Sequence, residues 1–191
     1  MVNYNEQQDI KISHPSKQAH LYYGAPIIKR GDPDFLTLYL GNYILGGGGF
    51  VSRLTQEIRE DRGLAYSVYS YFMPFLEAGP FQIGIQTKKD QVEEAKKIIQ
   101  KTVSNFIKNG PTQKELRRAK DFMIGGFPLR LDSNKSILEY VSMMAFYKYP
   151  LDYLETFTTR IDRITAEEIK SAFQRRVDMS KFSTVIVCLL Y

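Results

Sequence analysis

Residues 45–70 read LGGGGFVSRLTQEIREDRGLAYSVYS, and this stretch decides the fold of the chain. Its four consecutive glycines predict a break, because each glycine costs roughly 1 kcal/mol relative to alanine inside a helix. After the glycines, apolar residues recur at helical spacing at Leu54 and Ile58, with charged residues beside them. Gly63 follows a basic residue, which is typical of a helix end, and the β-rich run after it predicts a strand. The stretch therefore predicts a glycine break, an amphipathic helix and a strand.

Two side chains flank the predicted reversal at Gly63. Arg59 lies in the last turn of the helix and Tyr66 near the start of the strand, so the reversal places them within side-chain reach of each other. The residues alone favour a plain structural role for both. Tyr66 shares a strand face with Val68 at a period of two, as a core tyrosine would, and Arg59 beside Glu60 fits a solvated ion pair of small energy. The alternative is that the guanidinium and the phenol, held on rigid elements, bind an oxyanion.

The order of predicted elements indicates one α+β domain. Residues 1–17 are polar and predict a linker, whereas residues 18–191 predict a single domain. Capping boxes at Thr112 and Thr165 predict the starts of two helices. We expect a mostly antiparallel or mixed β-sheet that is covered by helices on one face. The predicted strands are 18–30, 65–72, 81–87 and 182–190, of which 65–72 and 81–87 are expected to form an antiparallel hairpin. The predicted helices lie at 35–45, 51–62, 90–108, 113–127, 134–148, 150–163 and from 165 onward.

Composition and charge narrow the function classes. The 26 basic and 21 acidic residues give a net charge of +5 and are mixed along the chain, which gives little support to nucleic-acid binding. No apolar run approaches the ~18 residues that a membrane span needs, and the polar first residues carry no targeting signal. The single cysteine, Cys188, lies in an apolar run, as a small buried residue does, and leaves the compartment undetermined. We therefore expect neither nucleic acid nor a membrane as a partner.

The glycines and the histidines lack the surroundings of common cofactor motifs. A phosphate-binding loop needs Gly-Lys-Ser/Thr before its helix, whereas residues 50–53 of this chain read FVSR. The glycines instead predict a tight break that lets two backbones approach, with a flexible binding loop as the alternative. The chain has two histidines, His14 and His20, and they are not part of a His-x-x-Glu-His arrangement or its inverse. We expect no catalytic zinc and no other cofactor in this chain.

Two segments carry a resemblance to a known family. Residues 45–70, together with YPLDYLETFTTRIDRITAEEI at residues 149–169, resemble the zinc-lacking half of the pitrilysin/insulinase-type zinc metallopeptidases, which include mitochondrial processing peptidase. The resemblance extends from His20 to Val187 and implies the α+β half-domain fold of that family. It also implies that Arg59 and Tyr66 reach into a closed chamber, where they bind the substrate carbonyl and the tetrahedral intermediate.

The same resemblance implies a divided enzyme. Zinc, its ligands and the general base would belong to a zinc-bearing half, which is either fused to this chain or supplied as a separate subunit of a homo- or heterodimer. This chain alone would be inactive, and the joined halves would hydrolyse unfolded or short peptides. The bacterial periplasm and the mitochondrial matrix are both compatible with the family. The residues that would contact the substrate beside the catalytic pair are Gly46, Gly47, Gly48, Gly49 and Phe50.

Two other interpretations stay open. The family also includes members that do no chemistry, such as the core subunits of a respiratory complex, so the chain could be a structural or assembly subunit of the same fold. It could also be a peptide-binding module. Peptide hydrolysis that depends on Arg59 and Tyr66 distinguishes the catalytic interpretation from the structural one, because a structural subunit tolerates the loss of either side chain.

Overall fold

A computed structural model describes residues 7–189. The strands are β1 Asp9–Ser13, β2 Gln18–Ile28, β3 Ala65–Phe72, β4 Gly79–Lys88 and β5 Ser183–Cys188. They form one five-stranded sheet in the order β1-β5-β2-β4-β3, in which β1 and β5 are parallel and all other neighbours are antiparallel. The expected α+β fold with a mixed sheet is confirmed, and so is the predicted hairpin of β3 and β4.

The helices between the strands follow the predicted order. Helix α4 and helix α7 each begin with a complete capping box, at Thr112 and at Thr165, as the sequence predicts. No helix within residues 7–189 is long and apolar enough to cross a bilayer. The α-helices are α1 Phe35–Asn42, α2 Arg53–Thr55, α3 Val92–Asn109, α4 Gln113–Gly125, α5 Asn134–Phe146, α6 Tyr153–Arg163 and α7 Ala166–Arg176.

The core lies between the sheet and its helices and is rich in aromatic rings. Phe106 of α3 and Phe173 of α7 are fully buried, with ring centroids 4.8 Å apart. On the sheet side, Tyr23 of β2 contacts Phe182, the residue before β5, at 4.9 Å between centroids. Such pairs add about 0.5–1.5 kcal/mol each to the free energy of burial. This packed core holds the sheet rigidly and so positions the residues just before β3 and at its start.

The first strand differs from the expected linker. Residues 1–6 of the predicted linker lie outside the described residues, but Asp9–Ser13 form β1 at the edge of the sheet. Its sequence, DIKIS, alternates Ile10 and Ile12 with polar residues, but all five residues are exposed, so burial of an apolar face contributes little to the strand. It is held instead by its parallel ladder with β5 and by ion pairs from α3, Lys96 with Asp9 at 3.2 Å and Glu93 with Lys11 at 3.1 Å.

Candidate functional site

A buried pair of polar side chains joins the end of α1 to β3. Asn42 Nδ2 donates a hydrogen bond to the backbone carbonyl of Ser70 at 3.0 Å, and Ser70 Oγ donates one to Asn42 Oδ1 at 2.6 Å. An unpaired polar group at such a buried position would cost about 1–3 kcal/mol. Gly46 lies against the same serine, because a Cβ at this position would collide with Ser70 Oγ and lie 2.7 Å from Leu54 Cδ1. The glycine therefore lets the segment after α1 pack directly on β3.

The glycine break is shorter than the sequence predicts. Tyr43–Gly47 continue α1 as a π-helical turn, so the first two glycines are helical and the reversal begins at Gly48. Gly49 has a φ of +59°, a left-handed conformation that favours glycine. The Gly49 carbonyl accepts two hydrogen bonds from Ser52, one from the backbone N–H at 3.1 Å and one from Oγ at 2.8 Å. This closed turn presents Phe50 to solvent, where its side chain is 68% exposed.

Arg59 and Tyr66 lie on the two sides of a second glycine reversal. Arg59 belongs to the π-helical turn Gln56–Glu60, which follows α2 directly. Gly63 then adopts a φ of +61°, and its N–H donates to the Arg59 carbonyl at 3.0 Å. The N–H of Leu64 donates to the Ile58 carbonyl at 2.9 Å, which turns the chain into β3. The predicted order of helix, glycine and strand is confirmed.

A β-bulge turns Tyr66 outward. Ala65 pairs with Thr87 and Ser67 pairs with the next residue of β4, Gln86, so Tyr66 is the extra residue of the strand. Val68 returns to the buried face, while Tyr66 is 83% exposed. The interpretation of Tyr66 as a core tyrosine is therefore wrong, because the bulge shifts the period of two on which that interpretation depended.

The structure brings Phe50, Arg59 and Tyr66 together in what we call the Arg59 cluster. The guanidinium carbon of Arg59 lies 4.5 Å from the ring centroid of Phe50 and 5.4 Å from that of Tyr66. Each contact is a cation–π interaction of about 0.5–1 kcal/mol at an exposed site. Arg59 Nε also lies 3.5 Å from Glu60 Oε1. The cluster thus combines a positioned cation, an exposed phenol and an exposed apolar ring.

The predicted substrate-contact residues divide into an outer and an inner group. Gly47, Gly49 and Phe50 are exposed. Gly46 is buried against β3, and Gly48 is partly covered, because a Cβ there would lie 2.6 Å from the Tyr43 carbonyl oxygen. The outer group includes Phe50, a member of the Arg59 cluster. Close packing explains why the two residues of the inner group, Gly46 and Gly48, are glycines.

A partly buried ion pair that the sequence does not reveal anchors the start of α2. The Arg53 guanidinium donates to both carboxylate oxygens of Glu115 at 2.7 Å and to the Gly110 carbonyl at 3.0 Å, and it lies over the Phe106 ring at 5.0 Å. Burial raises the pKa of the Glu115 carboxyl, but hydrogen bonds from Arg53 and from the capping residue Thr112 outweigh this effect and lower the pKa to about 2. The pair ties the helix that carries Arg59 to α4.

We expect this ion pair to make the protein less stable in acid. The pKa of Glu115 is lower in the folded chain than its ordinary value of 4.5, so its contribution is present above pH ~4.5 and is lost as the pH falls toward ~2. Glu115→Gln should lower the free energy of unfolding at pH 7 by about 2 kcal/mol and flatten its decline between pH 5 and pH 2. Urea unfolding across this pH range measures both effects, with Glu94→Gln on the exposed face of α3 as the control. Equal pH profiles for the two variants would contradict the role of the pair.

A groove of about 560 Å³ adjoins this ion pair but has no residue in common with the Arg59 cluster. Four of its charged side chains form two ion pairs with each other, Arg53 with Glu115 and Arg62 with Glu57, both at 2.7 Å. Charges paired at this distance offer less to a charged ligand than Arg59, whose ion pair with Glu60 is longer, at 3.5 Å. The Arg59 cluster is therefore the better candidate site.

The donor set of the described chain does not fit zinc. His14 is exposed after β1, and His20 lies in β2. Between residues 7 and 189, no three His, Cys, Asp or Glu side chains come together as a metal site would require. The Arg59 cluster itself offers hydrogen-bond donors, which suit a carbonyl oxygen or an oxyanion.

Comparisons with known proteins identify the family to which the chain is similar. The family described as "Peptidase M16 inactive domain" matches residues 2–123, which include the whole Arg59 cluster. A Helicobacter pylori protein named "Non-peptidase homolog YmxG" is 33% identical over 90% of this chain and 40% of its own length. A Bacillus subtilis protein named "Uncharacterized zinc protease YmxG" is 38% identical over 63% of this chain and 29% of its own length.

The solved structures include a close match in fold. The crystal structure of a peptidase M16 inactive domain from Pseudomonas fluorescens superimposes with a TM-score of 0.91 at 39% sequence identity, over 98% of this chain and 45% of that chain. The present chain thus spans less than half the length of each of these relatives.

Proposed function

Because the chain belongs to the family of peptidase M16 inactive domains, we propose that it is the zinc-lacking half of a two-part peptidase and that it binds the substrate backbone through Arg59 and Tyr66. The zinc and the general base would come from a zinc-bearing half, since the donor set here does not fit the metal. The single observation that carries the proposal is the outward placement of Tyr66 beside Arg59 by the β-bulge.

The chemistry of the two side chains fits a peptide carbonyl. A guanidinium presents several N–H donors in a fixed plane and keeps its charge at all relevant pH values, while a phenol donates one O–H. A carbonyl oxygen gains negative charge when a nucleophile adds to its carbon, so both donors would bind the tetrahedral intermediate more strongly than the ground state. Since Arg59 is carried by a helix anchored to α4 and Tyr66 by a strand, the donors are held in place before the substrate arrives.

The exposed part of the glycine segment would lie along the substrate. Gly47 and Gly49 have no side chains to keep a peptide backbone at a distance, and the turn that begins at Gly49 contains the Arg59 cluster residue Phe50. An extended or unfolded peptide can reach such a surface, whereas a folded protein presents few free carbonyl groups to it. The substrate class is therefore short or unfolded peptides.

A structural subunit of the same fold is the second candidate. The Helicobacter pylori relative is named a non-peptidase homolog, which favours this candidate. A purely structural subunit needs its buried core and the Asn42–Ser70 contact but has no use for an exposed phenol beside a guanidinium. The effect of substituting Arg59 or Tyr66 on peptide hydrolysis therefore distinguishes the two candidates.

The experiment mixes this chain with a zinc-bearing half of the same family and follows the hydrolysis of a quenched fluorescent peptide. We expect hydrolysis by the mixture and no hydrolysis by this chain alone. A zinc-bearing half that is equally active with and without this chain would overturn the proposal and favour the structural subunit. A folded protein that contains a sequence similar to that of the peptide, added as a competing substrate, should not slow the hydrolysis of the peptide.

A further inference from the structure

We propose that Phe50 is a positioning residue that sets the direction of the Arg59 guanidinium. The inference rests on the proposed function of Arg59 and assigns to Phe50 a role that acts through that arginine instead of a direct contact with the substrate. The starting observation is that a large apolar side chain is 68% exposed although its ring centroid lies only 4.5 Å from the guanidinium carbon of Arg59.

The Phe50 ring is itself held in place. The turn that contains it is closed by the two hydrogen bonds from Ser52 to the Gly49 carbonyl, at 3.1 Å and 2.8 Å. Gly49 supplies the left-handed φ that this turn needs. A phenylalanine side chain has two rotatable bonds, so a fixed backbone leaves its ring few positions. The turn therefore presents the ring as a fixed surface against Arg59.

Arg59 needs such a surface because a carboxylate competes for it. Glu60 Oε1 lies 3.5 Å from Arg59 Nε, and Glu60 is the next residue in the chain. An arginine side chain has several rotatable bonds, and a guanidinium that turns fully toward this carboxylate loses N–H donors for a substrate. Contact with a ring occupies the face of the guanidinium and leaves its in-plane N–H groups available.

The two rings of the cluster then have different tasks. Tyr66 lies 5.4 Å from the same guanidinium carbon and carries a phenolic O–H that can donate a hydrogen bond, whereas Phe50 lies nearer and carries no polar atom. Phe50 therefore holds Arg59, while Tyr66 both contacts Arg59 and offers a donor of its own. A position that needs only a ring should accept tyrosine and should reject leucine.

The first test measures the direction of Arg59 in the isolated chain. The Nε–Hε signal of Arg59, assigned by its loss in Arg59→Lys, should be displaced by the ring current of Phe50. Phe50→Leu should shift this signal most of the way toward that of a free arginine, and Phe50→Tyr should leave it in place. Val51→Ala is the matched control, since Val51 is the neighbouring residue and is 65% exposed. A Phe50→Leu signal that moves no further than the Val51→Ala signal would overturn the proposal.

The second test measures hydrolysis by the joined halves. Because a small misplacement of a catalytic group can cost up to 10²-fold in rate, we expect Phe50→Leu to lower kcat about 10-fold with little change in KM. Phe50→Tyr should retain most of the wild-type kcat, because it keeps the ring, and Val51→Ala should leave kcat unchanged. A shifted Arg59 signal without a fall in kcat would overturn the positioning role and leave the proposed function intact. No hydrolysis by the wild-type mixture would overturn the proposed function and the role of Phe50 within it.

Discussion

Tyr66→Phe is expected to lower kcat for peptide hydrolysis by the joined halves about 10²-fold, which is the effect of removing one donor from an oxyanion-binding site. The substitution removes only the phenolic oxygen and keeps the ring that contacts Arg59 at 5.4 Å. Tyr66 is exposed at a bulge, so the stability of the fold should change by less than about 0.5 kcal/mol. The measurement is the rate of cleavage of a quenched fluorescent peptide at saturating substrate, together with a urea unfolding curve of the isolated chain.

Tyr69→Phe is the matched control for this prediction. Tyr69 lies on the same strand, is also exposed and packs over Gly84, and its ring stacks on Tyr71, whereas the Arg59 guanidinium lies over Phe50 and Tyr66. We expect the kcat of Tyr69→Phe to stay within about twofold of the wild type. The kcat of Arg59→Lys should be lowered, like that of Tyr66→Phe, because lysine cannot reproduce the guanidinium plane. Equal rates for Tyr66→Phe, Tyr69→Phe and the wild type would favour the structural subunit over the peptidase half.

The elements that could be predicted from the sequence are those with strong local signals. The β3–β4 hairpin, the helix–glycine–strand reversal at Gly63 and both capping boxes follow from patterns of a few residues. Strand β1 was not predicted although Ile10 and Ile12 alternate with polar residues, because two isoleucines within five residues are a weak signal beside the polar segment around them, and the strand is held by its backbone ladder with β5. The Arg53–Glu115 pair joins residues 62 positions apart, and no local pattern indicates such a contact.

In the candidate site, too, the local features could be predicted and the features that depend on the folded chain could not. The sequence places Arg59 and Tyr66 close together, because one glycine reversal separates them. It also points Tyr66 into the core, because a period of two cannot reveal the bulge that inserts one residue between Ala65 and Ser67. The contact of Arg59 with Phe50 depends on the turn at Gly49, and only the folded chain shows which way that turn points.

Gly46→Ala is expected to have the largest effect on stability, lowering the free energy of unfolding by about 3 kcal/mol, at the upper end of the range for overpacked sites. The new Cβ would collide with Ser70 Oγ and lie 2.7 Å from Leu54 Cδ1. Ser70 cannot move aside without weakening its buried hydrogen bonds with Asn42, so the clash would disturb the contact that joins α1 to β3. The midpoint and slope of urea unfolding measure the loss.

Gly125→Ala is the control, because Gly125 ends α4 and a Cβ there meets nothing within 4 Å. Alanine at this position should leave stability unchanged or raise it by up to about 1 kcal/mol, since it restricts the unfolded chain without any clash. The difference between the two variants isolates the effect of close packing from that of backbone freedom. If Gly46→Ala were as stable as Gly125→Ala, the glycines before Phe50 would not be explained by their approach to β3, and a role in substrate contact would account for them better.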